Sequence, residues 1–212
     1  MTDGVATSGP NSSGPRRVYI PSTLRTVTAL ADTGQIPVLG GTAFAVTAAL
    51  RESYVSGDDE ELAEVAQRDA ARASLRLLAI EGAADPRDDG DGARGDGARG
   101  DGACGDEAGH DHALPAAFGR RRVVVVADVV DVRPRPDLDA AVVKIGGAVG
   151  REQIVSVLVD GAEAEPAVER AIDLIDAADM GDEDGELAVG DVDDHDLAWF
   201  ATQEVPFLVE LL

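Results

Sequence analysis

The sequence predicts an α+β domain, with a mixed-sheet α/β arrangement as the alternative: one sheet of about five strands with helices packed on it. Three observations predict it. Arg122-Val123-Val124-Val125-Val126-Ala127 is an unbroken, largely β-branched run, the mark of a strand covered on both faces. Residues 58–80 form a long helical pattern, with Asp58, Asp59, Glu60 and Glu61 at its start and Arg68, Arg72 and Arg76 in its second half. That polarity complements the helix dipole. Between and beyond these two segments, helical and strand patterns mix without strict alternation.

Taken in order, Arg17-Val18-Tyr19-Ile20 reads as a strand stopped by Pro21. Ser22 or Thr23 caps a helix through Ala31, with Leu24, Val27 and Leu30 on one face and Gly34 as its end. Residues 42–47 read as a strand, and 50–54 as a short helix. In the long helix, Leu62, Val65, Ala66, Ala73, Leu77 and Ile80 make the expected apolar stripe. After the valine run, Pro134 and Pro136 mark a turn, and residues 142–145 and 154–159 are strands. Pro166 suits the first turn of a helix to Ala177, with Val168, Ala171, Ile172 and Ile175 inward. Residues 187–189 read as a short strand. Asp193 or Asp194 then opens a last helix with Leu197, Phe200 and Ala201 inward, and Pro206 breaks it. The apolar end, residues 205–212, is expected to dock on the protein's own core.

Two segments fall outside this pattern. Residues 1–15 are mostly Gly, Ser, Thr, Pro and Asn and read as a disordered tail. Residues 83–119 contain a five-residue beat, Gly90-Asp91-Gly92-Ala93-Arg94 and its two following copies. Glycine at this density does not repay its ordering entropy, so the tract reads as a disordered, low-complexity insertion in one domain spanning 16–212.

The chain has 212 residues and a net charge of −23. Such an acid excess argues against nucleic acid, whose phosphates need a basic face, and against an anionic membrane surface. It fits solvation or attraction of basic partners. Lys144 is the only lysine and Asn11 the only asparagine, a composition typical of a GC-rich genome; salt adaptation would also give the Asp excess. Cys104 stands alone, so no internal disulfide forms, and a reducing cytoplasm is the simple expectation. Neither a signal peptide nor an apolar run approaching the ~20 residues of a membrane span is evident.

Four blocks carry a resemblance: Arg17-Val18-Tyr19-Ile20-Pro21-Ser22-Thr23-Leu24, Ala43-Phe44-Ala45-Val46-Thr47-Ala48-Ala49-Leu50-Arg51-Glu52, Ala71-Arg72-Ala73-Ser74-Leu75-Arg76-Leu77-Leu78, and His195-Asp196-Leu197-Ala198-Trp199-Phe200-Ala201-Thr202-Gln203-Glu204. In this order they resemble an uncharacterised family of small actinobacterial proteins, a domain of unknown function. The resemblance covers residues 16–81 and 120–212. It implies a cytosolic bacterial protein, a shorter link where 83–119 lie here, and no assigned activity.

Candidate sites are few. Cys104, His110 and His112, with Asp106 and Asp111, have the donor types for Zn²⁺, Ni²⁺ or Cu²⁺, but their spacing matches no structural zinc pattern. The Asp-Gly repeats fail as a calcium loop, because position twelve falls on Gly100 or Gly102 and not on a glutamate. Pro21-Ser22-Thr23 could hold an anion at a helix start, yet simple capping explains it. Gly146-Gly147-Ala148-Val149-Gly150 precedes no clear helix, so it is not a dinucleotide loop. No cofactor is expected.

The acidic group Asp191, Asp193, Asp194 and Asp196 surrounds His195. On a helix, His195 and Trp199 would stack at i,i+4. A general acid/base pair of His195 with Asp191 or Asp194 is the catalytic reading. Capping by the aspartates and packing of His195 on Trp199 is the structural one. Two functional classes follow. The favoured one is a non-catalytic interaction or regulatory module with a protein partner. The alternative is a small metal-assisted hydrolase centred on His195. Oligomeric state is left open.

Overall fold

The computed structural model describes residues 14–84 and 120–211. Cys104, Asp106, His110, Asp111, His112, most of the 1–15 tail and nearly all of the 83–119 tract lie outside the described residues. The described architecture is α+β, as expected. Its main sheet has seven strands where about five were expected, and all its ladders are antiparallel.

The chain opens with β1 (Arg16–Ser22), which pairs in register with β4 (Val123–Val129) from Arg16↔Val129 to Ser22↔Val123. Pro21 does not stop β1, because β3 (Thr42–Phe44) faces β1 only at Tyr19 and its ladder has ended before the proline. Thr23 then caps α1 (Leu24–Thr33) by accepting the Thr26 amide, and Gly34 ends it at φ 72°, a conformation natural only to glycine. β2 (Gln35–Pro37) leaves the main sheet to pair with β7 (Ala148–Gly150). After β3, α2 (Ala48–Ser53) leads into α3 (Asp59–Ala84). α3 therefore continues through residues 83 and 84, where the insertion was expected to begin.

Beyond β4 come β5 (Arg133–Pro134), β6 (Val142–Lys144) and β8 (Ile154–Asp160), then α4 (Glu165–Asp179) and α5 (Glu183–Asp193). The chain closes with β9 (Leu197–Ala201) and α6 (Val205–Leu211). The main sheet runs β5-β6-β3-β1-β4-β8-β9. The extra strands are short: β5 has two residues, and β9 stands where a helix was expected.

β4 is interior and covered on both faces, as its valines predict. Val123, Val125, Ala127 and Val129 pack with Val27 and Leu30 of α1 and Val205 and Leu208 of α6. Val124 and Val126 pack with Leu62, Ala66 and Ala70 of α3. The C-terminal end thus docks on the protein's own core through α6, whose first turn accommodates Pro206 instead of being broken by it. A third cluster joins Leu75 and Leu78 of α3 to Val168, Ala171, Ile172 and Ile175 of α4 and Val192 of α5.

Three local expectations are corrected. First, the stripe of α3 shifts after Ala70 to Ala71, Ser74, Leu75 and Leu78, leaving Ile80 60% exposed. The helix outruns one packing partner, and its buried face turns as it passes from the sheet to α4 and α5. Second, residues 187–189 are helical. Asp182 caps α5 by accepting the Gly185 amide, and Gly185 lets α5 approach α4, since a Cβ there would lie 2.5 Å from the Ala178 nitrogen. Third, Asp193 and Asp194 do not open a helix but close α5. Leu197-Ala198-Trp199-Phe200-Ala201 is then a strand, which its aromatic pair favours.

Candidate functional site

The most unusual side chain inside the protein is Arg122, which precedes β4 and is 1% exposed. Buried guanidinium groups need full partnership, because desolvation costs several kcal/mol per ion. Arg122 has it. Its Nη2 donates to Asp160 Oδ1 at 2.9 Å and its Nε to Asp160 Oδ2 at 3.0 Å. Its backbone amide donates to the same Oδ2 at 2.8 Å, while the Asp160 amide returns a bond to the Arg122 carbonyl. Asp160 closes β8 and is likewise buried. The pair therefore pins the start of β4 to the end of β8.

The remaining donors of Arg122 reach the C-terminal segment. Nη2 also donates to the His195 carbonyl at 2.9 Å, and Nη1 lies 3.4 Å from Asp193 Oδ1. Asp193 Oδ2 accepts Arg72 Nε of α3 at 2.8 Å. A carboxylate at a helix C-terminus opposes the dipole, and here two arginines offset that cost. Nearby, Ser74 of α3 donates to the Ser22 carbonyl at 2.7 Å and accepts the Val123 amide at 3.1 Å. Among the described residues, every buried side-chain nitrogen or oxygen has a hydrogen-bond partner.

The candidate acid/base residues lie around this network. His195 sits in the turn between α5 and β9, and what it gives the network is its backbone carbonyl. Asp191 pairs with Arg170 of α4 at 3.3 Å, and Asp194 is exposed. No hydrogen bond or ion pair joins the His195 ring to either carboxylate in the described residues. The i,i+4 stack on Trp199 is absent because residue 199 lies on a strand. Among the described residues, no group of three or more His, Cys, Asp or Glu side chains is placed to hold a metal ion. At Pro21-Ser22-Thr23 the expected cap is formed: the Thr23 hydroxyl accepts the Thr26 amide and donates to Glu81 Oε1 at 2.7 Å.

A cleft of about 360 Å³ opens beside the network, lined by Arg72, Arg76, Asp179 and Glu186 with apolar walls from Ile175 and Val189. Its arginines are already engaged, Arg72 with Asp193 and Arg76 with Asp179. Their charge is spent on holding α3 to α4 and α5.

The other feature is the outer edge of β9, the last strand of the sheet. Hydrogen-bond direction follows from a single bond. The Asp160 amide points to β4, so by alternation the Ser156 and Leu158 groups also face β4, and those of Val157 and Val159 face β9. Val157 pairs with Phe200 and Val159 with Ala198. The amides and carbonyls of Leu197, Trp199 and Ala201 therefore face outward. Glu204 supports this assignment, because its carboxylate takes the Ala201 amide at 2.7 Å. Trp199, the chain's only tryptophan, lies on the α3 side of the sheet opposite Leu158 and is 61% exposed. Phe200, on the other face, packs against the main core.

Arg122 and Asp160 were missed as site residues in sequence reasoning, and Asp193 was named only in the acidic group around His195. The readable signal was weak: an arginine opening an all-apolar strand and an aspartate closing another. Fold and site together define an antiparallel αβ scaffold whose polar interior is structural. The chain belongs to the DUF6912 family of unknown function, whose profile matches residues 16–90 and 98–209. The match reaches further into the Gly/Asp tract than the four blocks do, leaving 91–97 unmatched between its segments. No curated protein and no solved structure matches the chain.

Proposed function

We propose that this protein is a non-catalytic interaction or regulatory module of the cytoplasm that works by binding a protein partner. The observation that carries this reading is the edge of β9, where the single tryptophan stands exposed beside strand groups that face outward. Large aromatic side chains are costly to leave in water and are enriched at contact surfaces. The polar interior supports the same reading, because Arg122, Asp160, Asp193 and the His195 carbonyl are occupied in holding elements together. No helix among the described residues is long and apolar enough to cross a membrane.

Tagged protein used as bait in a lysate of its native cell tests this reading. Partners should be retained by the wild type and by Val55→Ser, a change at another exposed apolar residue, and lost from Trp199→Ser. Equal recovery by Trp199→Ser and the wild type would overturn it.

A further inference from the structure

We infer that the outer edge of β9 takes up an extended, basic segment of the partner as an added antiparallel or parallel strand. The inference rests on the interaction reading above and specifies its surface and ligand chemistry. Strand addition needs outward main-chain groups, and Leu197 and Trp199 supply them; in the described residues neither has a partner on that side. The usable edge is short. Ala201 lies at its end, where Glu204 has already taken the amide, so pairing is confined to residues 197–199.

The side chains beside this edge define what can lie there. On the α3 side, Trp199 forms a wall over which an aliphatic or cationic side chain can pack. On the opposite side Ala198 is small and exposed and leaves room for a branched residue. Asp194 and Asp196 precede the strand and Glu204 follows it, and Asp194 and Glu204 are free of any ion pair among the described residues. Carboxylates at both ends, on a chain of net charge −23, select a segment carrying lysine or arginine.

The same charges disfavour a second copy as the occupant. A two-fold pairing of β9 strands centred on Trp199 would bring the end of each strand preceded by Asp194 and Asp196 to the end of the other that Glu204 follows, twice over. Like charges placed opposite one another destabilise a strand pair.

The single tryptophan makes the test direct. The intact protein is titrated with a short alternating Lys-Val peptide and with its Glu-Val counterpart, and Trp199 emission is followed. The Lys-Val peptide should shift the emission to shorter wavelength and bind at least about tenfold more tightly than Glu-Val, with the difference shrinking as salt is raised. A Lys-Val peptide N-methylated at every residue, which has no donor edge in either register, keeps the protein's own folding out of the result. It should not bind. Binding equal to that of the unmethylated peptide would overturn strand addition, as would no binding of Lys-Val at all. A concentration-dependent dimer in light scattering that Leu197→Pro converts to monomer would assign the edge to a second copy and also overturn the proposal. If Lys-Val fails while partner capture still depends on Trp199, strand addition falls and the interaction reading stands. If capture is independent of Trp199, both fall.

Discussion

β4 and the α5–β9–α6 segment meet at Arg122, yet they are held by different forces. β4 contributes side chains to two apolar layers at once and needs only its own pattern to find its place. The later segment is half polar. It is tied by the Arg122 bond to the His195 carbonyl, the double arginine hold on Asp193 and the Glu204 cap on Ala201, with Val205 and Leu208 as its apolar anchor. Apolar burial is non-directional, so many sequences would satisfy β4. The polar ties are directional and each has one geometry. A single change should therefore act globally in β4 and regionally in the later segment.

The largest effect tests the first half of that contrast. Val125→Asp places an unpaired charge in the layer between the sheet and α1 and α6, a site with no exposure. Soluble expression should be lost; normal yield with an unchanged circular dichroism spectrum would mean that this layer is open to water. Arg122→Met is the next test. It leaves Asp160 buried without its charge partner and should cost about 3–5 kcal/mol. For a domain of this size that lowers Tm by on the order of ten degrees. The double variant Arg122→Met/Asp160→Leu should recover part of the loss, because the stranded charge goes with its partner. Trp199 emission should change in both variants, since Arg122 holds the turn that leads into β9. A purely apolar role for Arg122 predicts additive losses and an unmoved emission.

The same contrast explains what the sequence made legible. β4, β8, α1 and α4 follow from local periodicity, and their buried faces were named correctly down to Val27, Val168 and Ile175. The C-terminal segment was misread for a physical reason. Asp193 and Asp194 carry the signature of a helix start, and only the distant arginine partners of Asp193, Arg72 and Arg122, make that carboxylate acceptable at a helix end. No local window contains both sides of such an ion pair. The stripe of α3 failed similarly, because which face is buried beyond Ala70 depends on α4 and α5, nearly a hundred residues downstream. His195 followed from the helix error: once β9 is a strand, the ring loses its stack on Trp199, and the residue's role passes to its carbonyl.

The smallest effect concerns Asp69, on the face of α3 between these two regions. Burial raises its carboxyl above the ordinary value, and Asp139 and Asp193 add to the shift while Arg72 and Arg68 oppose it. A raised pKa in the folded state means that folding favours the protonated form. The cost of the charge is therefore fully present above the folded value and vanishes as pH falls toward the unfolded value of 3.8. Asp69→Asn should stabilise the protein at neutral pH by about one or two degrees in Tm, and this gain should disappear in acid. Asp128, on the exposed strand end, is the control of opposite sign. Arg17 holds its carboxyl below the usual range by hydrogen bonding, so its contribution is present above that range and is lost as pH falls through the folded value. Asp128→Asn should thus lower Tm slightly at neutral pH and have no effect in acid. A gain from Asp69→Asn that persisted at low pH would trace to packing and not to charge.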